Sequence, residues 1–490
     1  MQLHFDNSYG RLPDRFFARL APTPVPAPRL IRVNHDLART LGIDPAQLES
    51  ADGLQVLAGN RVPAGADPLA MAYAGHQFGN WVPQLGDGRA ILLGEVVGRD
   101  GERRDIQLKG AGRTPFSRMG DGRAVLGPVL REYLVSEAMN ALGVPTTRAL
   151  AAVTTGMQIM RDGLQPGAIF TRVASSHVRV GTFEYFGNRG DVDGVRTLAD
   201  YVIDRHYPQA SAQAQPYVAL LDAVLERTAR LIAQWQLHGF IHGVMNTDNT
   251  SIAGETIDFG PCAFMDAYDP GTVYSSIDSA GRYAYGNQPR IAHWNLARFA
   301  QSLLPLMGSD EAAALAMAQA SVSAFPALFQ RALLNGMRRK LGLVQTAAED
   351  AGLAQDLLAR MARHRADFTL TFRALCDAAL GPANDDGARA RFNDPAAFDE
   401  WALRWRARLA LEGGDTQARR DMMRGANPAF IPRNHQVQRV IDAAATHADF
   451  GPFEELLGVL AAPFDDQPDR SRYSQPPQPG EEIQATFCGT

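Results

Sequence analysis

The sequence predicts an α+β fold with two lobes, a smaller mixed lobe rich in β-strands followed by a larger, mainly helical one. Short apolar runs within residues 81–97, an alternating run at 105–109 and further strand-like runs to about residue 186 come first. Helical patterns then dominate, for example at residues 218–237 and 325–341. Strands that precede helices are typical of this fold class, and 490 residues are enough for two lobes that share a core.

We divide the chain into four parts. They are an N-terminal extension that packs on the core, the β-rich lobe, the helical lobe and a C-terminal tail, with predicted bounds 1–75, 76–190, 191–460 and 461–490. Four prolines between residues 22 and 28 indicate an extended entry arm. The stretch after residue 461 is rich in Pro, Gln and Asp, which predicts a loosely held tail.

Composition and charge argue against several classes of function. Apolar residues make up 46% and charged residues 21% of the chain, as in ordinary globular proteins. The formal net charge is −5 and there is no Lys/Arg block, so nucleic acid is not expected as a partner. No run reaches the ~20 apolar residues of a bilayer span, and the first residues do not resemble a signal peptide. We expect a cytoplasmic monomer that does not bind membranes.

Lys109 is one of only two lysines, with Lys340, among 48 basic residues. It ends the run Asp-Ile-Gln-Leu-Lys, in which the period of a strand turns Ile106 and Leu108 to one face and Lys109 to the other. Because almost all other basic residues of this chain are arginines, a lysine at this position indicates a need for a compact point charge. The alternative is an exposed lysine on a strand edge.

The strongest motif is Ile-His-Gly-Val-Met-Asn-Thr-Asp-Asn at residues 241–249, followed by a predicted hairpin at 250–256 and by Asp-Phe-Gly at 258–260. It resembles the catalytic and metal-binding loops of protein kinases and aminoglycoside-type phosphotransferases. That resemblance implies a protein-kinase-like bilobal fold, and Asn249 and Asp258 as ligands of Mg²⁺, which prefers hard oxygen donors. Asp-Phe-Gly alone could be a plain turn, but the order of elements favours a nucleotide site.

In such a site Lys109 grips phosphate oxygens and pairs with a helix carboxylate. The helical period places Glu137 on the apolar stripe and Glu132 on the opposite face, so periodicity favours Glu137. Arg172 and Arg179 are seven residues apart and reach one ligand only if Ser175-Ser176 interrupts the strand. Both are candidates because an arginine can bind a phosphate through two parallel hydrogen bonds. The alternative is that they are surface arginines.

Gly86 and Gly88 lie in a predicted hairpin turn within residues 81–97. Glycines there let the backbone approach a phosphate closely, although such a pair is usually only a turn.

Val244 separates this chain from the kinases. In a kinase the catalytic Asp lies five residues before the metal-binding Asn, and Val244 stands at that position. A carboxylate occurs instead directly before Asn249, at Asp248. Either the base has moved to Asp248 or the chain is a nucleotide-binding pseudokinase.

Two long motifs, residues 73–90 and 107–124, and the short motif Thr-Phe-Glu at 182–184 resemble the selenoprotein O family, also called the YdiU family. The resemblance extends from near the first residue to the last. It implies a kinase-like fold that binds ATP in a flipped orientation and transfers AMP to Ser, Thr or Tyr hydroxyls of proteins. UTP as a second donor and Mn²⁺ in place of Mg²⁺ stay open.

The same resemblance implies a role for each matching residue. Asp248 is the proton acceptor, Asn249 and Asp258 hold the metal, and Glu132 rather than Glu137 pairs with Lys109. The implied nucleotide contacts are Gly86, Gly88, Arg89, Lys109, Asp121, Gly122, Arg172 and Arg179. Inward β- and γ-phosphates need extra buried cations, which Arg172 and Arg179 could supply.

The cysteines Cys262, Cys376 and Cys488 have no metal-ligand spacing and cannot form a disulfide framework, which indicates a reducing compartment. Members of the family that contain selenium carry selenocysteine near the C-terminus, where this chain has Cys488. In some bacterial relatives that cysteine pairs with one in the activation segment, at the position of Tyr274 here. Cys262 is either a substitute partner or a buried inert thiol.

Three functions therefore compete. The sequence favours a protein adenylyltransferase over a phosphotransferase that uses the γ-phosphate, because the kinase base is missing. A catalytically inactive ATP-binding scaffold is the third.

Overall fold

The computed structural model describes residues 4–487 and confirms the α+β class: an antiparallel sheet lies in the N-terminal half, and helices dominate the C-terminal half. The strands are β1 (Phe17–Arg19), β2 (Arg29–Val33), β3 (Leu69–Met71), β4 (Gly75–Gln77), β5 (Asn80–Val82), β6 (Ala90–Val97), β7 (Arg103–Lys109), β8 (Ala124–Val125), β9 (Arg148–Met160), β10 (Leu164–Ala174), β11 (Phe240–Ile241) and β12 (Ala263–Phe264).

The main sheet has the strand order β1-β3-β6-β7-β10-β9-β2, and β8 pairs with β10. Lys109, at the end of β7, lies opposite Ala90 of β6 and Phe170 of β10. The alternation predicted for this strand is confirmed, since Ile106 and Leu108 belong to a hydrophobic cluster on one face. Lys109 therefore projects from the other face, in the middle of the sheet.

The helices are α1 (His35–Thr40), α2 (Pro45–Glu49), α3 (Ala51–Leu57), α4 (Leu126–Ala141), α5 (Val180–Gly187), α6 (Val192–His206), α7 (Pro216–His238), α8 (Gln288–Leu303), α9 (Glu311–Lys340), α10 (Asp350–His364), α11 (Phe368–Ala378), α12 (Asp386–Arg389), α13 (Pro395–Ala410), α14 (Thr416–Arg424), α15 (Asn434–His447) and α16 (Gly451–Leu460). Helix α7 begins with Pro216 and ends at Gly239, whose φ of 71° gives the left-handed cap that glycine favours.

Two short strands close the loop that carries the strongest motif. β11 and β12 pair antiparallel, with Phe240 opposite Phe264 and Ile241 opposite Ala263. Because the intervening chain leaves and returns at one place, residues 242–262 form a closed loop that contains Asp248, Asn249 and Asp258. We call residues 242–249 the catalytic loop.

Two predicted hairpins are wrong. β6 pairs with β7 and β3, so Gly86 and Gly88 lie in a connecting loop and not in a turn between paired strands. Residues 250–256 also form no hairpin: Ser251 bridges Arg179 and Thr256 bridges Thr146. β6 uses its backbone hydrogen bonds with the next strand, β7, and the segment at 250–256 bridges residues that are distant in sequence.

The C-terminal tail is held at two places, contrary to the expectation. Tyr473 is buried in a cluster with α4, α15 and α16. Thr486 is 1% exposed, and its N–H donates to Tyr274 O at 2.7 Å while its Oγ1 donates to Pro261 O at 2.6 Å. The tail thus packs against the chain that follows Asp258.

The expected absence of a membrane span stays a prediction. Within residues 4–487, α9 is the one helix that is long and apolar enough to cross a bilayer, a test that core helices of soluble proteins also pass. It packs along α7 and α8.

Candidate active site

A cavity of about 660 Å³ brings the sequence motifs together. One part of its wall comes from the chain between β3 and β6 and from the loop that follows β7, and another part comes from the catalytic loop and Asp258. Of the predicted site residues, those that line it are Gly86, Gly88, Arg89, Asp121, Gly122, Arg179, Asp248, Asn249 and Asp258. Lys109, Glu132 and Arg172 lie directly behind this wall.

Lys109 joins two carboxylates. Its Nζ donates to Glu132 Oε2 at 2.6 Å and to Asp258 Oδ1 at 2.7 Å. Burial alone would raise the pKa of Asp258, but the charges of Lys109, Arg172 and Arg89 lower that pKa well below its usual range. Asp258 is therefore ionised at neutral pH. Its φ of 65° lies in the left-handed region, which is uncommon for a residue other than glycine.

The carboxylate that pairs with Lys109 is Glu132, so the prediction of Glu137 from periodicity is wrong. Glu137 binds Arg148, accepting from its Nε at 2.9 Å and its Nη2 at 2.8 Å. The reason lies in the burial of α4, which is enclosed on almost all sides from Leu126 to Met139. A helix of this kind has no single apolar stripe, so the stripe cannot identify the inward carboxylate.

Arg172 is held behind Lys109. Its Nη1 donates to Glu132 Oε1 at 3.2 Å, and its Nη2 donates at 2.5 Å to Oε1 of Gln107, the residue opposite it across β7 and β10. The side chain is 3% exposed. Arg172 thus orients Glu132 and adds positive charge, but it does not line the cavity.

Arg179 reaches the same site because the strand ends before it. β10 stops at Ala174 and Arg179 caps the N-terminus of α5, so the strand is interrupted at Ser175-Ser176, the condition under which both arginines could reach one ligand. Its Nη1 donates to Asp248 O at 2.9 Å, and its guanidinium lies 4.4 Å from the centre of the Tyr73 ring. Arg179 therefore borders the cavity directly above the catalytic loop.

The loop at residues 86–89 forms another side of the cavity. Gly86 has a φ of 109°, and a Cβ there would collide with the Phe116 ring. A Cβ on Gly88 would lie 2.9 Å from Phe116 O. The backbone can pass this close to the glycine-rich segment only without side chains.

Asp121 and Gly122 border the cavity within that segment. Asp121 accepts at 2.9 Å from both Nη1 and Nη2 of Arg161, a fork-shaped pairing that lowers the pKa of the carboxyl. Gly122 has a φ of 70° and lies against the Gly112 backbone. Arg161 and Phe116 are cavity residues that sequence reasoning did not identify.

Asp248 and Asn249 lie on a 3₁₀ turn, Thr247–Asn249. Burial raises the pKa of Asp248 to about 6, against the lowering effects of a hydrogen bond from Gln77 and of the Arg179 charge. Asn249 Nδ2 donates to Val244 O at 3.1 Å, which leaves the amide oxygen available to another group. Val244 supplies only an apolar side chain at the kinase base position.

Two oxygen-bearing side chains, Asn249 and Asp258, fit a divalent cation that also binds phosphate. Within the described residues 4–487, no group of three or more His, Cys, Asp and Glu side chains could hold a metal by itself. Mg²⁺ is commonly bound by one or two protein oxygens together with substrate phosphates and water, so this donor set is sufficient.

Two residues named in the redox expectations, Cys262 and Tyr274, lie in the described part of the chain. Cys262 is buried, its Sγ donates to Phe259 O at 3.4 Å, and burial raises the pKa of the thiol to about 12, which agrees with the inert interpretation. Tyr274 O accepts a hydrogen bond from the backbone N–H of Thr486 at 2.7 Å. Cys488 lies outside the described residues.

Comparisons with known proteins identify the family of the chain. Residues 1–461 match the family model described as protein adenylyltransferase SelO. A protein nucleotidyltransferase YdiU of Rhodopseudomonas palustris (strain HaA2) is 63% identical over 492 residues, covering 100% of both chains. Proteins of the same description are 63% identical in Methylorubrum extorquens, over 99% of both chains, and 62% identical in Bradyrhizobium sp. (strain ORS 278), over 100% of both.

The matches and the site together define a protein nucleotidyltransferase, an enzyme whose substrate is a nucleotide. More specifically, the chain belongs to the protein adenylyltransferase SelO family. The resemblance inferred from the three sequence motifs is confirmed.

Proposed function

We propose that this protein transfers AMP from ATP to Ser, Thr or Tyr hydroxyls of proteins, with release of pyrophosphate, in a reaction that requires Mg²⁺. The sheet-containing half and the helical half form the two lobes of a protein-kinase-like fold. The observation that carries the proposal is that Asp248, and not a residue at position 244, supplies the carboxylate of the catalytic loop that lines the cavity.

The acceptor hydroxyl attacks the α-phosphorus of ATP, and the bond from that phosphorus to the oxygen bridging to the β-phosphorus breaks. Asp248 takes the hydroxyl proton, and pyrophosphate leaves with the electron pair of the broken bond. A buried carboxylate whose pKa lies near 6 is ionised at neutral pH yet basic enough for this transfer.

The basic residues stabilise the leaving group. Arg179 borders the cavity, Lys109 lies directly behind its wall, and Arg172 supports Lys109 through Glu132. Charge that develops on pyrophosphate would be stabilised in a site where few waters compete. Gly86, Gly88, Arg89, Asp121 and Gly122 bind the remainder of the nucleotide.

Asn249 and Asp258 would hold the metal ion. When bound, Mg²⁺ or Mn²⁺ neutralises phosphate charge and fixes the phosphate chain.

The test uses ATP labelled on either the α- or the γ-phosphate. The purified protein is incubated with each, alone and with added acceptor proteins, and label retained on protein is counted. Retention of α-label alone supports AMP transfer, γ-label would show phosphotransfer, and no label from either would support a scaffold. Asp258→Ala should lose all transfer. UTP and Mn²⁺, run in parallel, determine the base and metal preferences.

A further inference from the structure

The hairpin formed by β4 and β5, residues 75–82, rests on the catalytic loop. It turns through Phe78 and Gly79, both with positive φ, at 52° and 85°. Backbone N–H groups of His76 and Phe78 and the side-chain amide of Gln77 donate to Thr247 Oγ1 (2.7 Å), Asn246 Oδ1 (3.0 Å) and Asp248 Oδ2 (3.2 Å), respectively. Consecutive hairpin residues thus fix three consecutive residues of the loop.

The hairpin is itself firmly held. Glu184 of α5, whose side chain is 1% exposed, binds His76 Nδ1 through Oε1 at 2.6 Å and accepts the Thr247 hydroxyl hydrogen bond on Oε2. One buried carboxylate therefore ties both the hairpin and the catalytic loop to the helix. Because the hairpin is anchored in this way, the backbone of Gln77 is held in place relative to Asp248, which its side chain contacts.

The two oxygens of Asp248 have different surroundings. Oδ1 is buried and has no hydrogen-bond partner within residues 4–487, and a Cβ on Gly75 would lie 2.6 Å from it. Oδ2 accepts from Gln77, and both Gln77 and Asp248 line the cavity. The hairpin backbone therefore encloses one oxygen, while the Gln77 side chain orients the other.

We infer that Gln77 is a positioning residue that fixes the Asp248 carboxylate so that Oδ2 receives the proton of the acceptor hydroxyl. The inference rests on the proposed function, in which Asp248 is the proton acceptor. A neutral amide suits this task because it orients the carboxylate without pairing its charge, and a carboxylate oxygen can accept more than one hydrogen bond. The hydroxyl then binds Oδ2 beside the Gln77 amide.

The test compares Gln77→Met, which keeps the length of the side chain but removes the amide, with the wild type. We expect kcat for AMP transfer to fall about tenfold to a hundredfold, because the base is no longer held in line with the acceptor. KM for ATP should stay within about twofold, since Gln77 is not expected to touch the nucleotide phosphates. Asn80→Ala, an exposed change in the same hairpin, is the matched control and should leave kcat unchanged.

A double variant separates positioning from general damage. If Gln77 acts through Asp248, then Gln77→Met combined with Asp248→Asn should be no slower than Asp248→Asn alone. Gln77→Ala provides a second single variant, and each protein is compared by its melting temperature before its kinetics are interpreted. A wild-type kcat in either folded Gln77 variant overturns the inference, as does a further loss in the double variant. Full activity of Asp248→Asn would instead overturn the proposed base.

Discussion

Lys109 Nζ and Asp258 Oδ1 lie 2.7 Å apart across 149 residues of chain. The contact joins the central strand of the sheet to the loop that carries the proposed metal ligand. The pair brings a lysine that is predicted to bind phosphate against a carboxylate that is proposed to bind the metal. Glu132 holds the same lysine from the other side, with its Oε2 2.6 Å from Lys109 Nζ.

Glu132→Gln should reduce AMP transfer by about a hundredfold or more, because an amide cannot hold Lys109 as a charged carboxylate does. Glu137→Gln is the matched control on the same helix: it weakens the pairing with Arg148 and should lower the melting temperature while kcat stays near the wild-type value. Steady-state kinetics and thermal unfolding of both variants check this. Equal loss of kcat in the two variants would contradict the assignment.

Gly86→Ala should raise KM for ATP by about tenfold or more, since the added methyl group collides with the Phe116 ring and displaces the loop that lines the cavity. Gly101→Ala provides the comparison: this glycine also has positive φ, 80°, but nothing lies within 4 Å of its Cβ position. That variant should lose about 1 kcal/mol of stability and bind ATP normally. Titration with ATP measures both affinities, and equal affinities in the two variants would contradict the loop's role.

Lys340→Met should stabilise the protein at pH 7. Burial lowers the pKa of Lys340 from 10.5 to about 7, and its Nζ lies 4.5 Å from the centre of the Phe372 ring. Between pH 7 and pH 10.5 the unfolded chain binds more protons than the folded one. The free energy of unfolding therefore increases with pH over this range, and the destabilisation caused by Lys340 becomes smaller. Methionine removes this cost, which the two pKa values put at about 4 kcal/mol at pH 7.

Urea unfolding at pH 7 and at pH 9.5 checks the Lys340 prediction. The difference in the free energy of unfolding between Lys340→Met and the wild type should be larger at pH 7 than at pH 9.5. Arg339→Met, which removes the exposed charge next in the chain, should show no such difference. A difference in the free energy of unfolding that increases with pH would contradict the prediction.

Thr486→Val should loosen the C-terminal tail. Valine has the shape of threonine but leaves Pro261 O without its hydrogen-bond donor, a loss of about 1–2 kcal/mol for a buried group. The backbone N–H of Ser276, which donates to Thr486 O at 3.0 Å, should then exchange with solvent faster. Hydrogen exchange measures this, with Thr486→Ser as the control that keeps the hydroxyl. Protection equal in all three proteins would show that the tail does not restrain this segment.

The predicted site residues that the structure brings together are those that local sequence patterns identify. Asp248, Asn249 and Asp258 follow from one motif, and Lys109 follows from strand alternation and the scarcity of lysine. Glu132 could be assigned only by family resemblance, since a helix buried on nearly every side gives periodicity no face to select. Gln77 was not identified at all, because its contact with Asp248 spans 171 residues and leaves no trace in local spacing.

Both outer strands of the main sheet, β1 and β2, come from the first 33 residues of the chain. During synthesis Arg29 of β2 must wait for Thr154 of β9, its partner in register. At about 5–20 residues per second this delay is roughly 6–25 s. Strand β2 is thus made well before its partner in the sheet, and the charges of Arg29 and Arg32 disfavour pairing of that strand with another chain in the meantime.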